Sequence, residues 1–179
     1  DDGLKEHLHV AKILKKRKIL GLFFTPTYNL INSNYFLNVH KAHLILGKVK
    51  PLKAYEELIK FFDSRKFFIK KDMLNTRFKS VYKSHSDDKY KKKFKKIINY
   101  TKNIKYKSEA LDYLMRKFKI NLKPSNFYLS SKDIKFMSKI GMIIGSHSNK
   151  HILMSSQSYK EQDKEINVSK KFLEKAIKK

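Results

Sequence analysis

Met142-Ile143-Ile144-Gly145-Ser146-His147-Ser148-Asn149-Lys150-His151 is the stretch that decides the fold. Its first five residues form a short apolar run that reads as a strand, and a histidine follows at once. A second run, Ile19-Leu20-Gly21-Leu22-Phe23-Phe24, ends at Thr25-Pro26-Thr27. Short continuous apolar runs, with a helix on one side and a loop on the other, mark buried parallel strands. Helical patterns flank both. Residues 4–18 carry Leu4, Leu8, Ala11, Ile13 and Leu14 on an apolar side and close on Lys15-Lys16-Arg17-Lys18, where cations suit the helix dipole. Ser130 or Ser131 caps a helix with Asp133 in its first turn, which runs to about Lys139 and ends at Gly141. A last helix begins at Ser158, with Tyr159, Ile166, Phe172 and Leu173 apolar. Strand–helix units of this kind predict an α/β fold with parallel strands.

Between the strands lies a long stretch of mainly helical pattern. Residues 38–47 read as a helical turn or two carrying His40 and His43, and Pro51 opens a helix over Leu52 to Phe62. Tyr90-Lys91-Lys92-Lys93-Phe94-Lys95-Lys96-Ile97-Ile98 is basic and amphipathic, and a further helix spans roughly Ser108 to Lys119. The region from Asp72 to Phe118 has the least regular pattern, with a loop at Ser84-His85-Ser86-Asp87-Asp88.

Composition bounds the chemistry. The 179 residues suffice for one domain with a core, and a hydrophobic content of 41% with 13 Phe and 10 Tyr excludes a disordered chain. The absence of Cys excludes disulfides and thiolate sites, so any metal is held by His and carboxylates. No run of 18 apolar residues occurs, so no membrane span is expected, and the Asp-Asp-Gly start has no signal-peptide pattern. Lys plus Arg number 42 against 16 acids, a formal charge of +26 that attracts polyanions. The only arginines are Arg17, Arg65, Arg77 and Arg116. A lysine excess beside abundant Asn, Ile, Tyr and Phe reads as an AT-rich coding sequence that places Lys at solvated positions. A basic nucleic-acid or anionic-surface binding module without catalysis is the alternative reading.

His147 and His151 follow the end of a predicted strand, where the sites of α/β folds lie. Histidines at this spacing can reach one metal, and a carboxylate from elsewhere completes a three-ligand face open to water. Metal-bound water is acidic enough to attack an amide or ester at neutral pH, and a second carboxylate can take its proton. The same spacing also describes an ordinary surface pair, and Asp1-Asp2-Gly3 an ordinary turn. His7 and His9, and His40 and His43 at i, i+3, are further ligand candidates, with solvated or packed helix faces as the default. Lys91 to Lys96 with Tyr90 and Phe94 could grip phosphates or form a solvated face. Phe23-Phe24, Phe61-Phe62 and Phe67-Phe68 are expected in the core. His85 beside Asp87-Asp88 has no assigned role.

Taken in order, four segments resemble the NodB-homology domain of polysaccharide deacetylases, carbohydrate esterase family 4. Asp1-Asp2-Gly3 is similar to the end of its first motif, and Gly21 to Thr27 to its next strand. His147-Ser148-Asn149-Lys150-His151 resembles its His-Ser/Thr-x-x-His motif. Glu165-Ile166-Asn167-Val168-Ser169, followed by Leu173-Glu174, resembles the following helix. The resemblance implies a partial or distorted (β/α) barrel over residues 1–179, with a helical insertion at about 38–128. It implies Asp1 as general base, Asp2, His147 and His151 as ligands of a divalent metal, most often zinc, and Ser148 as a loop-shaping neighbour. The implied reaction is hydrolysis of an N-acetyl, less often O-acetyl, group on a sugar by metal-bound water, with an acetylated glycan as partner. Oligomeric state does not follow from it.

Asn38-Val39-His40-Lys41-Ala42-His43-Leu44-Ile45-Leu46 resembles an insertion of deacetylases from bacterial surface-polysaccharide loci. That implies a substrate-facing role for the insertion; a packed helix with two polar His is the plainer reading, and the compartment stays open between a bacterial cytoplasm and cell envelope. The chain departs from the family pattern in several places. Ile152 stands where Pro is common, Trp is absent, and the later Arg-containing, Asp/Trp and Leu-x-His motifs are not found. The strand that precedes Asp-Asp-Gly is missing too. The resemblance therefore implies an N-terminal fragment of the domain.

Overall fold

A computed structural model describes residues 1–66, 88–100 and 104–177. His85, Asp87, Phe67 and Phe68 lie outside the described residues. The chain divides into two compact units, Asp1–Leu37 with Leu122–Lys179, and Asn38–Asn121.

The first unit contains α1 (His7–Lys16), β1 (Leu22–Thr25), α2 (Tyr28–Ile31), α7 (Pro124–Phe127), α8 (Ser131–Lys139), β2 (Ile143–Ser146), a 3-10 turn (Met154–Ser156) and α9 (Tyr159–Ile177). The second contains α3 (Asn38–Lys48), α4 (Pro51–Ser64), α5 (Lys89–Tyr100) and α6 (Ile104–Lys117). Helix dominates. β1 and β2 pair in parallel, from Leu22 opposite Ile143 to Thr25 opposite Ser146. Parallel strands are as the apolar runs predict. The described residues show this two-stranded sheet and no barrel.

Ala11, Phe23, Leu129, Ile134, Met137 and Met142 form the core of the first unit. β1 is buried on one face only, and no residue of β2 is fully buried, so the expectation of buried strands is corrected. Phe23 and Thr25 point into the core, while Leu22, Phe24 and Ile143 are 57%, 39% and 48% exposed. The expectation that Phe23 and Phe24 both enter the core is therefore corrected for Phe24, because successive strand residues face opposite ways. The first helix also starts later than its apolar pattern suggests. Leu4 forms an antiparallel bridge with Tyr128, Lys5 N–H donates to Phe127 O (2.9 Å), and Leu129 N–H donates to Gly3 O (2.8 Å). Backbone pairing thus takes residues 3–5 from the helix and fixes Asp1-Asp2-Gly3 against the segment before α8. Ser130 and Asp133 cap α8 reciprocally: Asp133 N–H donates to Ser130 Oγ at 3.2 Å, and Ser130 N–H to Asp133 Oδ2 at 2.7 Å.

The second unit packs Ala42, Ile45, Leu58, Phe61, Phe62, Phe94, Ile97, Leu111 and Leu114 into one apolar cluster. The basic segment at 90–98 is α5, whose Phe94, Ile97 and Ile98 enter that cluster. Asp88 caps it, accepting from the Tyr90 and Lys91 amides at 2.8 and 3.3 Å. Lys93 lies 5.5 Å from the Tyr55 ring centroid and 5.7 Å from that of Tyr90, so part of the lysine row is engaged within the unit. His40 is buried, His43 is exposed, and their ring centroids stand 6.5 Å apart. Among the described residues no helix is long and apolar enough to cross a membrane.

Candidate metal centre

Thr25 ends β1 and Ser146 ends β2, so the two strands deliver their following loops to the same edge of the sheet. The ladder continues one step further, where His147 N–H donates to Thr25 O at 3.0 Å. Gly3 rests on the same threonine. With φ at +64°, a Cβ added to Gly3 would lie 2.2 Å from Thr25 Oγ1, so only glycine admits this approach. Asp2 is thereby carried to the ends of the strands.

There Asp2 meets both histidines. Its Oδ1 lies 3.3 Å from His147 Nε2 and 3.0 Å from His151 Nε2, and the imidazole centroids are 4.8 Å apart. One ligand atom from each residue lies within 4.8 Å of the other two, the only such group of three or more His and acidic residues among the described residues. Tetrahedral zinc at about 2.0–2.2 Å from each donor needs donors about 3.3–3.5 Å apart. The Asp2 distances fall at or just below that range, and one carboxylate with two imidazoles is a donor set suited to zinc. The three residues fit a divalent ion.

Conformation is strained at this point. Asp2 (φ 73°), Ser148 (φ 59°) and His151 (φ 54°) all occupy the left-handed region, which is sparse for residues with a side chain. Such clustering is typical of functional sites that their surroundings over-determine. The surroundings here are specific. Ser148 Oγ accepts from His151 N–H (3.1 Å), Thr27 Oγ1 donates to Asn149 Oδ1 (2.9 Å), and Tyr28 N–H donates to Asn149 O (2.9 Å). Glu165 Oε2 accepts from the Asn149 and Lys150 amides at 3.0 and 2.7 Å, and Ser146 Oγ donates to Ser169 Oγ at 2.7 Å. Thr27 and Asn149 are buried polar residues that reading along the chain did not single out. Their pairing spans 122 positions, and no local pattern announces it.

The other candidates of the first unit are not part of this three-residue group. Asp1 is exposed and His9 is exposed. His7 packs against Phe23 at 5.7 Å, and burial first, then the N-terminal charge, holds its pKa below the usual 6.5.

The metal-free pair of histidines is electrically uneven. The hydrogen bond to Asp2 raises the pKa of His151, whereas burial and then the neighbouring His151 lower that of His147. A raised folded pKa means that His151 stabilises the fold fully below its unfolded value of 6.5, and this contribution is lost as pH rises through the folded pKa. An ion must displace that proton. Zinc affinity is therefore expected to be weaker at about pH 6 than at about pH 8, with proton release on binding. Calorimetric titration in buffers of different ionisation enthalpy checks this; equal affinity and no proton release would contradict it.

Residues 75–179, more than half of the chain, match the polysaccharide deacetylase family, and the chain belongs to that family. The matched segment contains His147 and His151, while Asp1 and Asp2 precede it. No curated protein and no solved structure matches the chain.

Proposed function

We propose that this protein is a metal-dependent deacetylase that removes N-acetyl, or O-acetyl, groups from a sugar of a bacterial cell-envelope polysaccharide. The convergence of Asp2, His147 and His151 at one edge of a parallel sheet carries this reading. Asp2, His147 and His151 would hold the ion, best matched by zinc. When bound, it supplies a Lewis acid for the acetyl carbonyl and lowers the pKa of water in the site. Asp1, next in sequence to Asp2, serves as general base and takes the proton of the attacking water. A helical insertion at about 38–128 interrupts a NodB-type barrel domain of which the β1–β2 pair is part, although the family match already begins at residue 75. A cavity of 310 Å³ in the first unit is lined by Leu30, Tyr128 and Leu129 together with Asn29, Ser33 and Lys132, and Asp2, His147 and His151 are not among its lining residues.

Metal analysis after exhaustive dialysis tests the reading, together with acetate release from N-acetylglucosamine oligomers. One zinc per chain, lost in His147→Ala, is the expected result. A chain with no ion that binds DNA tightly and in a salt-sensitive manner would instead establish the basic binding module.

A further inference from the structure

The loop between the two histidines cannot satisfy its own backbone. With Ser148 and His151 both left-handed, the consecutive amides of Asn149 and Lys150 turn inward, and Asn149 is 7% exposed. Buried N–H groups require acceptors. Both point at one atom, Glu165 Oε2, at 3.0 and 2.7 Å. Successive amides converging on one oxygen form a concave anion-binding nest, and here the anion is a side chain of the protein itself. Glu165 is 7% exposed and lies on α9, whose Ser169, one turn on and wholly buried, receives the Ser146 hydroxyl at the end of β2. One face of α9 therefore holds the histidine loop at its stem and at its middle.

We propose that Glu165 is a positioning residue of the metal centre: its buried carboxylate clamps the backbone between His147 and His151 so that both imidazoles face Asp2 before any ion arrives. The inference rests on the reading of Asp2, His147 and His151 as ligands. Two contributions are separable. If the hydrogen bonds to the loop matter, a residue that keeps an oxygen in place without charge performs well. If only the negative charge near the site matters, a shorter acid performs well. Glu165→Gln keeps a carbonyl oxygen at the same reach, Glu165→Asp keeps the charge but withdraws the oxygen by one methylene, and Glu165→Leu removes both.

Zinc affinity, measured by competition with a chromogenic chelator, is expected to fall about 10- to 100-fold in Glu165→Leu, the usual range for groups that orient metal ligands. Glu165→Gln is expected to bind zinc more tightly than Glu165→Asp. In the metal-free proteins, amide exchange at Asn149 and Lys150 should accelerate in the Leu and Asp variants and stay slow in Gln. A general packing role would change melting temperature without this ordering, so the Gln and Asp variants decide even where Leu fails to fold. Equal zinc affinity of wild type and Asp, or Asp tighter than Gln, overturns the role of Glu165. A wild-type chain that takes up no zinc overturns the metal centre itself, an outcome the exchange data cannot mimic.

Discussion

Replacing Asp2 by alanine is expected to cost more than a hundredfold in zinc affinity and about a thousandfold or more in deacetylation. The first figure follows because residues that merely orient a ligand already cost 10- to 100-fold. The second follows from the proposed function, in which a bound Lewis acid would contribute several kcal/mol to the transition state, and about 4 kcal/mol is a thousandfold in rate. Asp2 is the strongest choice among the three because its Oδ1 is the atom both imidazoles approach, at 3.3 and 3.0 Å. Without it the histidines face each other across 4.8 Å with no anion between them. Asp2→Asn distinguishes charge from shape, since the amide retains the size of the side chain and donates where the carboxylate accepts. His9→Ala, at an exposed position, is the control. Zinc stoichiometry and acetate release in Asp2→Ala equal to wild type would remove this residue from the centre.

The second large effect is expected at Gly3→Ala. Two costs coincide there. The left-handed φ of +64° penalises any side chain by about 1–2 kcal/mol. The new methyl would also stand 2.2 Å from Thr25 Oγ1 and 3.1 Å from Thr25 Cβ. Thr25 cannot retreat readily, since it is 1% exposed and its carbonyl is tied to the His147 amide at 3.0 Å. Overpacking of this kind adds about 1–3 kcal/mol, for a sum of about 2–5 kcal/mol. Chemical denaturation followed by a probe in the first unit measures it. The variant should also weaken zinc binding, because the same collision pushes Asp2 away from the strand ends. Wild-type stability would show that the N-terminal turn is not seated on β1.

Much of this was legible in the chain because its signals are local. The apolar runs ending at Thr25 and Ser146, the Ser130/Asp133 cap and the spacing of His147 and His151 each lie within a few residues. Asp-Asp-Gly could be tied to the histidines only through the order of motifs, since 144 positions separate Gly3 from His147 and nothing local connects them. The late start of α1 has a related cause. Leu4 continues the apolar helical pattern, yet a backbone bridge to Tyr128 competes for the same residues and wins. The outward face of Phe24 is not readable in the chain, because a continuous apolar run gives no alternation from which to choose faces. The hold of Glu165 on the loop is invisible along the chain, because an acid on a charged helix resembles its solvated neighbours until its burial is known.

The three left-handed residues at the centre carry a consequence for anyone improving this protein. Gly tolerates that region better than either residue, and Asn better than Ser, so a selection for thermal robustness would tend to replace Ser148 first. Each such gain would be taken from chemistry, in the trade-off between rigidity and activity found wherever function depends on strained backbone. Consensus or melting-temperature-guided design should therefore exclude positions 2, 148 and 151.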